Sequence, residues 1–273
     1  MNHWNMYYTE KKIKIHIMLT RLKNPAFNYD KYGQKYSGYR LTDPRIARYV
    51  YDALEDAKTV LNVGAGTGSY EPTDRYVISV EPSTTMRLQR FALNKFPAII
   101  GVADALPFDD KSFDASMAMV TIHHWPDMAK GLGELRRVTR NQVIIMTFDP
   151  NALYDFWNYH YFPEVIEVER RRYPSIEFIS NVIGGQCEVI AIPIPFDCID
   201  GFQEAFYGRP EEFLKKEVRQ SQSAWGFISK ETEERMVKAL ADDLASGEWD
   251  RKYGHFRTQP SFTCALRLIV AWP

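Results

Sequence analysis

Four places in this 273-residue chain gather residue types that could do chemistry. Gly64-Ala65-Gly66-Thr67-Gly68 sets three glycines at alternate positions. Such glycines let the backbone turn tightly and let a ligand reach the main chain without meeting a Cβ. Glu81 closes an apolar run and can accept hydrogen bonds from two ribose hydroxyls at once. Glycines and carboxylate together suggest a nucleotide site, although the pair alone does not name the nucleotide, since it also serves NAD. His123-His124 follows another apolar run, and a histidine near neutrality can act as a base toward a weakly acidic group. The alternative is a pair that braces its loop by hydrogen bonds. Finally, the aromatic stretch from Tyr154 to Phe162 could wall an apolar pocket or belong to the core.

The carboxyl-terminal ends of apolar runs are where most of these residues lie, and the runs define the elements that must carry them. Thr59–Val63 reads as a buried strand before the glycines, and Tyr76–Val80 as a second strand ending at Glu81-Pro82. A helix is expected over about 83–93, and a short strand over 98–102 leads to Ala103-Asp104-Ala105. The run 115–122 ends at the histidines, and Met128, Leu132, Leu135 and Val138 then share one helical stripe. A further strand, 142–148, stops at Asp149-Pro150. Upstream, Thr42-Asp43-Pro44 combines a cap with a first-turn proline and opens a helix over 44–55. Continuous apolar strands alternating with helices describe an α/β fold, a doubly wound and mostly parallel sheet whose ligands sit beyond the carboxyl ends of the strands.

After Pro150 the alternation breaks. Residues 163–173 read as helix, 189–194 as strand, 202–247 as a charged helical region with a solvated face, and 262–272 as a last strand returning to the sheet. The expected organisation is an extension and lid over 1–40, an α/β domain over 41–196, a helical insertion over 197–255 and the final strand over 256–273. Residues 1–17 lack periodicity and punctuation and read as a poorly ordered extension.

Composition narrows the function classes. Formal net charge is −1 and no basic stripe occurs, which argues against nucleic acid and an anionic membrane as partners. The apolar segment 13–19 is far shorter than the roughly 18 residues of a membrane span. It also carries Lys14 and His16 and lacks a small-residue cleavage site, against a secretion signal. Cys187, Cys198 and Cys264 are dispersed, which fits neither a disulfide framework nor a metal site and suits a reducing, cytoplasmic setting. Ser69 stands where a dinucleotide fingerprint needs its third glycine, and Pro72 interrupts the short crossover after the loop. Both count against a pyrophosphate-binding helix.

The segments Val60-Leu61-Asn62-Val63-Gly64-Ala65-Gly66-Thr67-Gly68, Val80-Glu81-Pro82-Ser83 with Met86, Ala103-Asp104-Ala105-Leu106-Pro107-Phe108, and Phe113-Asp114 occur in that order. Together they resemble the class I S-adenosylmethionine-dependent methyltransferases, most closely the type 11 small-molecule branch that includes quinone-biosynthesis enzymes. The resemblance spans about residues 27–150. It implies that Gly64, Ala65, Gly66 and Gly68 lie under the methionine part of the cofactor. Glu81, with Pro82, would hold the ribose hydroxyls, and Met86 would pack on the adenine. Asp104 would accept from the adenine amino group, with Ala105 and Leu106 lining the ring and Val120 and Thr121 close by. Tyr29 to Arg40 resembles an N-terminal lid, in which Tyr36 and Arg40 would reach the cofactor carboxylate; an aromatic helix packed on the surface is the other reading. Asn62 departs from the usual acidic residue and offers no charge to the cofactor's ammonium group. The first crossover is also about one helical turn shorter than usual.

The resemblance favours His123 over His124 as the residue facing the acceptor, with Trp125, Phe156, Trp157 and Tyr161 as candidates for the acceptor pocket. The expected function is transfer of a methyl group from S-adenosylmethionine to oxygen, nitrogen or carbon of a small organic acceptor, leaving S-adenosylhomocysteine. A protein that binds the cofactor without catalysis and an NAD-dependent oxidoreductase are the alternatives.

Overall fold

The computed structural model describes Asp30 and residues 38–273. The first element, α1 (Pro44–Ala53), starts where the sequence signals it: the Asp43 side chain accepts from the Arg45 amide, Pro44 occupies the first turn, and Ile46, Ala47 and Val50 are buried. Strands β1 (Thr59–Val63) and β2 (Tyr76–Val80) follow, then α2 (Thr84–Ala92), capped by the Ser83 hydroxyl. Next come β3 (Ala115–Met119), α3 (Met128–Val138), capped by Asp127, and β4 (Val143–Phe148), buried throughout. Helices α4 (Pro163–Arg172) and α5 (Ile176–Ile183) lead to β5 (Gln186–Ala191) and β6 (Ile194–Pro195). Short 3-10 turns then precede α6 (Lys230–Ser246) and α7 (Glu248–Tyr253), and the chain closes with β7 (Ser261–Phe262) and β8 (Leu266–Trp272).

The main sheet runs β2-β1-β3-β4-β8-β5. Strands β2, β1, β3 and β4 are parallel, and β8 is antiparallel to both β4 and β5. From β1 the chain passes outward to β2 and then crosses back to β3 on the other side of β1. Strand order therefore reverses at β1, and the crevice beyond its carboxyl end is where such sheets hold ligands. Successive strand residues feed opposite cores: Ile144, Met146 and Phe148 join one cluster, whereas Val143 and Ile145 join the other. Burial on both faces explains why these strands read as unbroken apolar runs.

Several expected elements change in detail. The strand over 98–102 reduces to an isolated bridge between Ile99 and Val80. Pro97 supplies no amide donor and Gly101 no side chain to pack, so the segment cannot sustain a ladder. The run 115–122 ends its strand at Met119, because Val120 takes a positive φ of 49°. The run 189–194 is interrupted at Pro193 between β5 and β6. The last run is likewise two strands: Phe262 pairs with Ile194 in a small separate ladder, and only Leu266–Trp272 enters the main sheet. The charged region 202–247 has a buried side, with Met236 and Leu240 joining Trp249 in an aromatic core. Among the described residues no helix is long and apolar enough to cross a membrane.

Candidate active site

The three glycines of the loop after β1 do three different things. Gly64, at φ 68°, leaves no room for a side chain: a Cβ would lie 2.1 Å from Thr121 Oγ1. Its amide and that of Ala65 both donate to Val80 O, at 2.9 and 3.0 Å, tying the loop to β2. Gly66, at φ 52°, has no heavy atom within 4 Å of a would-be Cβ and presents bare backbone to open space. Gly68 packs on the other side, where a Cβ would stand 2.6 Å from the Arg90 guanidinium.

A buried polar floor supports this loop. Arg90 grips Glu71 with two donors, Nη1 to Oε1 at 2.8 Å and Nη2 to Oε2 at 2.9 Å. The Ser79 hydroxyl donates to Glu71 at 2.7 Å, and Asn62 Nδ2 donates to the same oxygen at 2.9 Å. Asn62 Oδ1 is buried and has no hydrogen-bond partner. The chain thus keeps a carboxylate beside Asn62, but Arg90 neutralises it, and the acceptor left over is an amide oxygen.

Glu81, at the end of β2, is buried, with Oε2 accepting from the Gly66 amide and Oε1 from the Ser83 amide, each at 2.8 Å. Burial raises its pKa above the ordinary carboxylate value, while the two amide bonds act to lower it. Glu81 and Gly66 lie on one open cleft of about 360 Å3. Asn62, Gly64, Ala65, Pro82, Met86, Val120 and Thr121 line the same cleft, so most residues expected at the cofactor come together. Asp30 stands at its rim, accepting from Ser83 Oγ at 2.7 Å and from the Thr85 amide at 2.9 Å.

Other expected cofactor residues lie elsewhere. Gly68 faces the ion pair rather than the cleft. Asp104, Ala105 and Leu106 do not line it either; Gly101, Val102 and Ala103 form that wall. The shift follows from α3, where Glu134 accepts the Leu106 amide at 2.9 Å and Arg137 donates to the Leu106 carbonyl at 3.2 Å, pinning the loop outward. Trp125, expected in the acceptor pocket, lines this larger cleft instead and packs over Gly131. Tyr36 lies outside the described residues. Arg40 is not on the cleft: Asp200 holds its Nε at 2.6 Å and also accepts from the Tyr70 hydroxyl at 2.7 Å.

Arg40 instead lines a second cavity of about 40 Å3, which shares Val120 and His124 with the cleft. Val120 holds its positive φ between the two spaces, a conformation that costs a β-branched residue of the order of 1–3 kcal/mol. His123 is buried on the second cavity, its ring 3.9 Å from that of His124 and 4.1 Å from that of Tyr173. Burial, helped by the nearby His124, Arg172 and Arg40, holds its pKa well below the ordinary histidine value. Its Nδ1 has no hydrogen-bond partner. His124 is likewise held neutral by burial and by Arg172. Arg172 Nη2 lies 3.0 Å from His124 Nδ1 and can only donate, so Nδ1 accepts and the ring proton resides on Nε2.

Of the aromatic stretch only Phe156 reaches this cavity. Trp157 is core, donating from Nε1 to the Tyr207 carbonyl at 2.7 Å, and Tyr161 donates to Asp243 at 2.7 Å. The remaining walls come from residues the sequence does not single out: Phe148, Glu169, Tyr173, Phe202, Glu204 and Gln222. Glu204 accepts the Ala265 amide at 3.0 Å, and burial pushes its carboxyl up to about 7. Phe148 closes β4, whereas the other five arrive from α4 and its end and from the irregular turns before α6, where nothing in the spacing marks them.

The family described as "Methyltransferase domain" matches residues 61–147. The crystal structure of a candidate methyltransferase from an antibiotic biosynthesis pathway of Anabaena variabilis superposes with a TM-score of 0.79 at 30% identity, covering 85% of this chain and 98% of that one. An uncharacterised methyltransferase of Mycobacterium tuberculosis is 37% identical over 91 residues, 31% of this chain and 36% of its own length. A malonyl-[acyl-carrier protein] O-methyltransferase of Halorhodospira halophila is 25% identical over 144 residues, 47% of this chain and 49% of its own length. The chain thus spans about half or less of the length of these curated relatives.

Proposed function

This chain belongs to the class I S-adenosylmethionine-dependent methyltransferases, and we propose from that premise that it methylates a small organic molecule. The observation that carries the reading is the meeting of Glu81 and the open face of Gly66 on one cleft, with a second cavity directly behind Val120 and His124. A nucleoside would occupy the first space, and the acceptor would enter the second.

The residues present suit the cofactor. Each Glu81 oxygen already takes one backbone amide and keeps a lone pair for a ribose hydroxyl. The buried, unpartnered Asn62 Oδ1 on the same cleft offers an acceptor to an ammonium group. Gly66 admits a ligand to main-chain contact, and Met86 provides an apolar surface for a base. When bound, S-adenosylmethionine supplies an electrophilic methyl group on a sulfonium.

The chain's own work is then alignment and exclusion of water, which suffice for a direct displacement. Val120 and His124, common to both spaces, would set the approach of the acceptor. His123 is held neutral and its Nδ1 is unpartnered, so of the two histidines it is the one that could take a proton. The alternative role, bracing the loop, fits His124, whose Nδ1 is engaged by Arg172. The free cysteines Cys187, Cys198 and Cys264 support a reducing, cytoplasmic setting.

Calorimetry with S-adenosylhomocysteine, followed by incubation with labelled S-adenosylmethionine and a pool of small acceptors, tests the reading. Saturable binding and transfer of label into a small product are expected. Absence of any heat with S-adenosylhomocysteine, alongside binding of NADH, would replace it with the oxidoreductase alternative.

A further inference from the structure

The second cavity holds an uneven set of polar atoms. Glu169 Oε2 and Gln222 Oε1 are buried without a hydrogen-bond partner, and both residues line it, at 8% and 5% exposure. Both atoms can only accept when the carboxyl is ionised. Glu169 Oε1 is already used, accepting from Gln203 Nε2 at 3.3 Å. Arg172 comes no nearer to Oε2 than 3.6 Å, with its donors turned to Ser223 at 2.9 Å and His124 at 3.0 Å. A buried acceptor left without a donor costs free energy, of the order of 1–3 kcal/mol, so the occupant of this space should bring donors.

Three further features narrow the occupant. Glu169 lines the cavity and, when ionised, presents an acceptor rather than a donor to an anionic head group, while the Arg40 fork that could have attracted one is engaged on Asp200 at 2.6 and 3.4 Å. Phe148, Tyr173 and Phe202 stand together on the wall, with ring centroids 5.5 Å apart between Phe148 and each of the others. Aromatic faces beside a carboxylate favour a cationic nitrogen. The volume of about 40 Å3 admits a head group of a few heavy atoms and leaves the body of a larger molecule at the mouth.

We propose that this cavity receives the amino group of the acceptor, so that the site methylates nitrogen; the inference rests on the methyltransferase reading above. The amine, an ammonium ion in neutral solution, first gives up one proton to solvent and reacts as the free base. Its lone pair forms the new N–C bond while the C–S bond breaks and its electron pair stays on sulfur. Positive charge thereby passes from the sulfonium to the methylated nitrogen, beside the carboxylate of Glu169. Glu169 and Gln222 recognise the nitrogen through its N–H donors.

The test uses three matched probes, propylamine, propan-1-ol and propionate, each at millimolar concentration with saturating S-adenosylhomocysteine, read by calorimetry and thermal shift. Propylamine, protonated at neutral pH like the methylated product, should bind at least about tenfold more tightly than propan-1-ol, and propionate should not bind. Glu169→Gln should bind S-adenosylhomocysteine as the parent does while losing most of the amine preference. Gln222→Leu gives an independent reading should the first variant fail to fold, and it should weaken propylamine more than propan-1-ol. The inference is overturned if the parent binds S-adenosylhomocysteine but shows no advantage for the amine, or if both variants keep the parental preference. If the parent binds no S-adenosylhomocysteine, the cofactor assignment itself has failed and the acceptor class falls with it.

Discussion

Replacing Glu81 with alanine isolates the interaction on which the proposed cofactor site turns. In the parent each carboxylate oxygen accepts one backbone amide at 2.8 Å, which leaves one further lone pair on each for a ribose hydroxyl. A hydrogen bond to a charged group contributes about 1.5–3 kcal/mol, so losing two should cost at least about 3 kcal/mol of binding. That corresponds to S-adenosylhomocysteine binding weakened by roughly a hundredfold or more. The Gly66 and Ser83 amides released by the substitution face a cleft that water can enter, so folding stability should change much less than affinity. The cleanest assay is a cycle in calorimetry, pairing parent and Glu81→Ala with S-adenosylhomocysteine and its 2′-deoxy analogue. Removing the hydroxyl should weaken binding to the parent and make little difference to the variant. Equal affinity of parent and Glu81→Ala for S-adenosylhomocysteine, or equal sensitivity of both to the missing hydroxyl, would refute the assignment of Glu81 to the ribose.

Glu204→Gln should flatten the pH dependence of stability: the carboxyl rises from 4.5 to about 7 on folding, worth about 3 kcal/mol at about 1.4 kcal/mol per pH unit. Because the folded state favours the protonated form, that stability is complete below about pH 4.5, declines as pH rises and is gone above about pH 7; parallel urea-unfolding profiles for parent and variant across this range would contradict the assignment. Gly66→Ala should cost only the left-handed backbone strain of about 1–2 kcal/mol yet weaken S-adenosylhomocysteine, whereas Gly64→Ala should destabilise the fold more, because its Cβ meets Thr121; thermal melts and calorimetry on the two variants separate these effects. Arg90→Met should destabilise by about 3–5 kcal/mol by stranding Glu71 in the core. Adding Glu71→Met should restore much of that loss in denaturant melts, and a double variant no more stable than the single one would show that the ion pair is not the source.

Sequence alone determined a good deal of this molecule. The order of strands and helices through β4 followed from local rules: apolar runs buried on both faces, a cap with a first-turn proline at Asp43-Pro44, and glycines where φ turns positive. Gly64, Gly66 and Glu81 were legible for the same reason, since the loop and the strand end that place them on one cleft are short-range features. Tertiary contacts decided the rest. Glu134 and Arg137 on α3 drew the segment after Ala103 away from the cleft, so Asp104 and its neighbours lie beside it rather than in it. Trp157 and Tyr161 became core because Tyr207 and Asp243, far along the chain, supplied their polar partners, leaving Phe156 alone to reach the cavity. Glu169, Glu204 and Gln222 carry no motif at all. They acquire meaning only because packing buries them together around one small space, and burial, which gives a polar group its energetic weight, is a property of the folded chain and not of any stretch of its sequence.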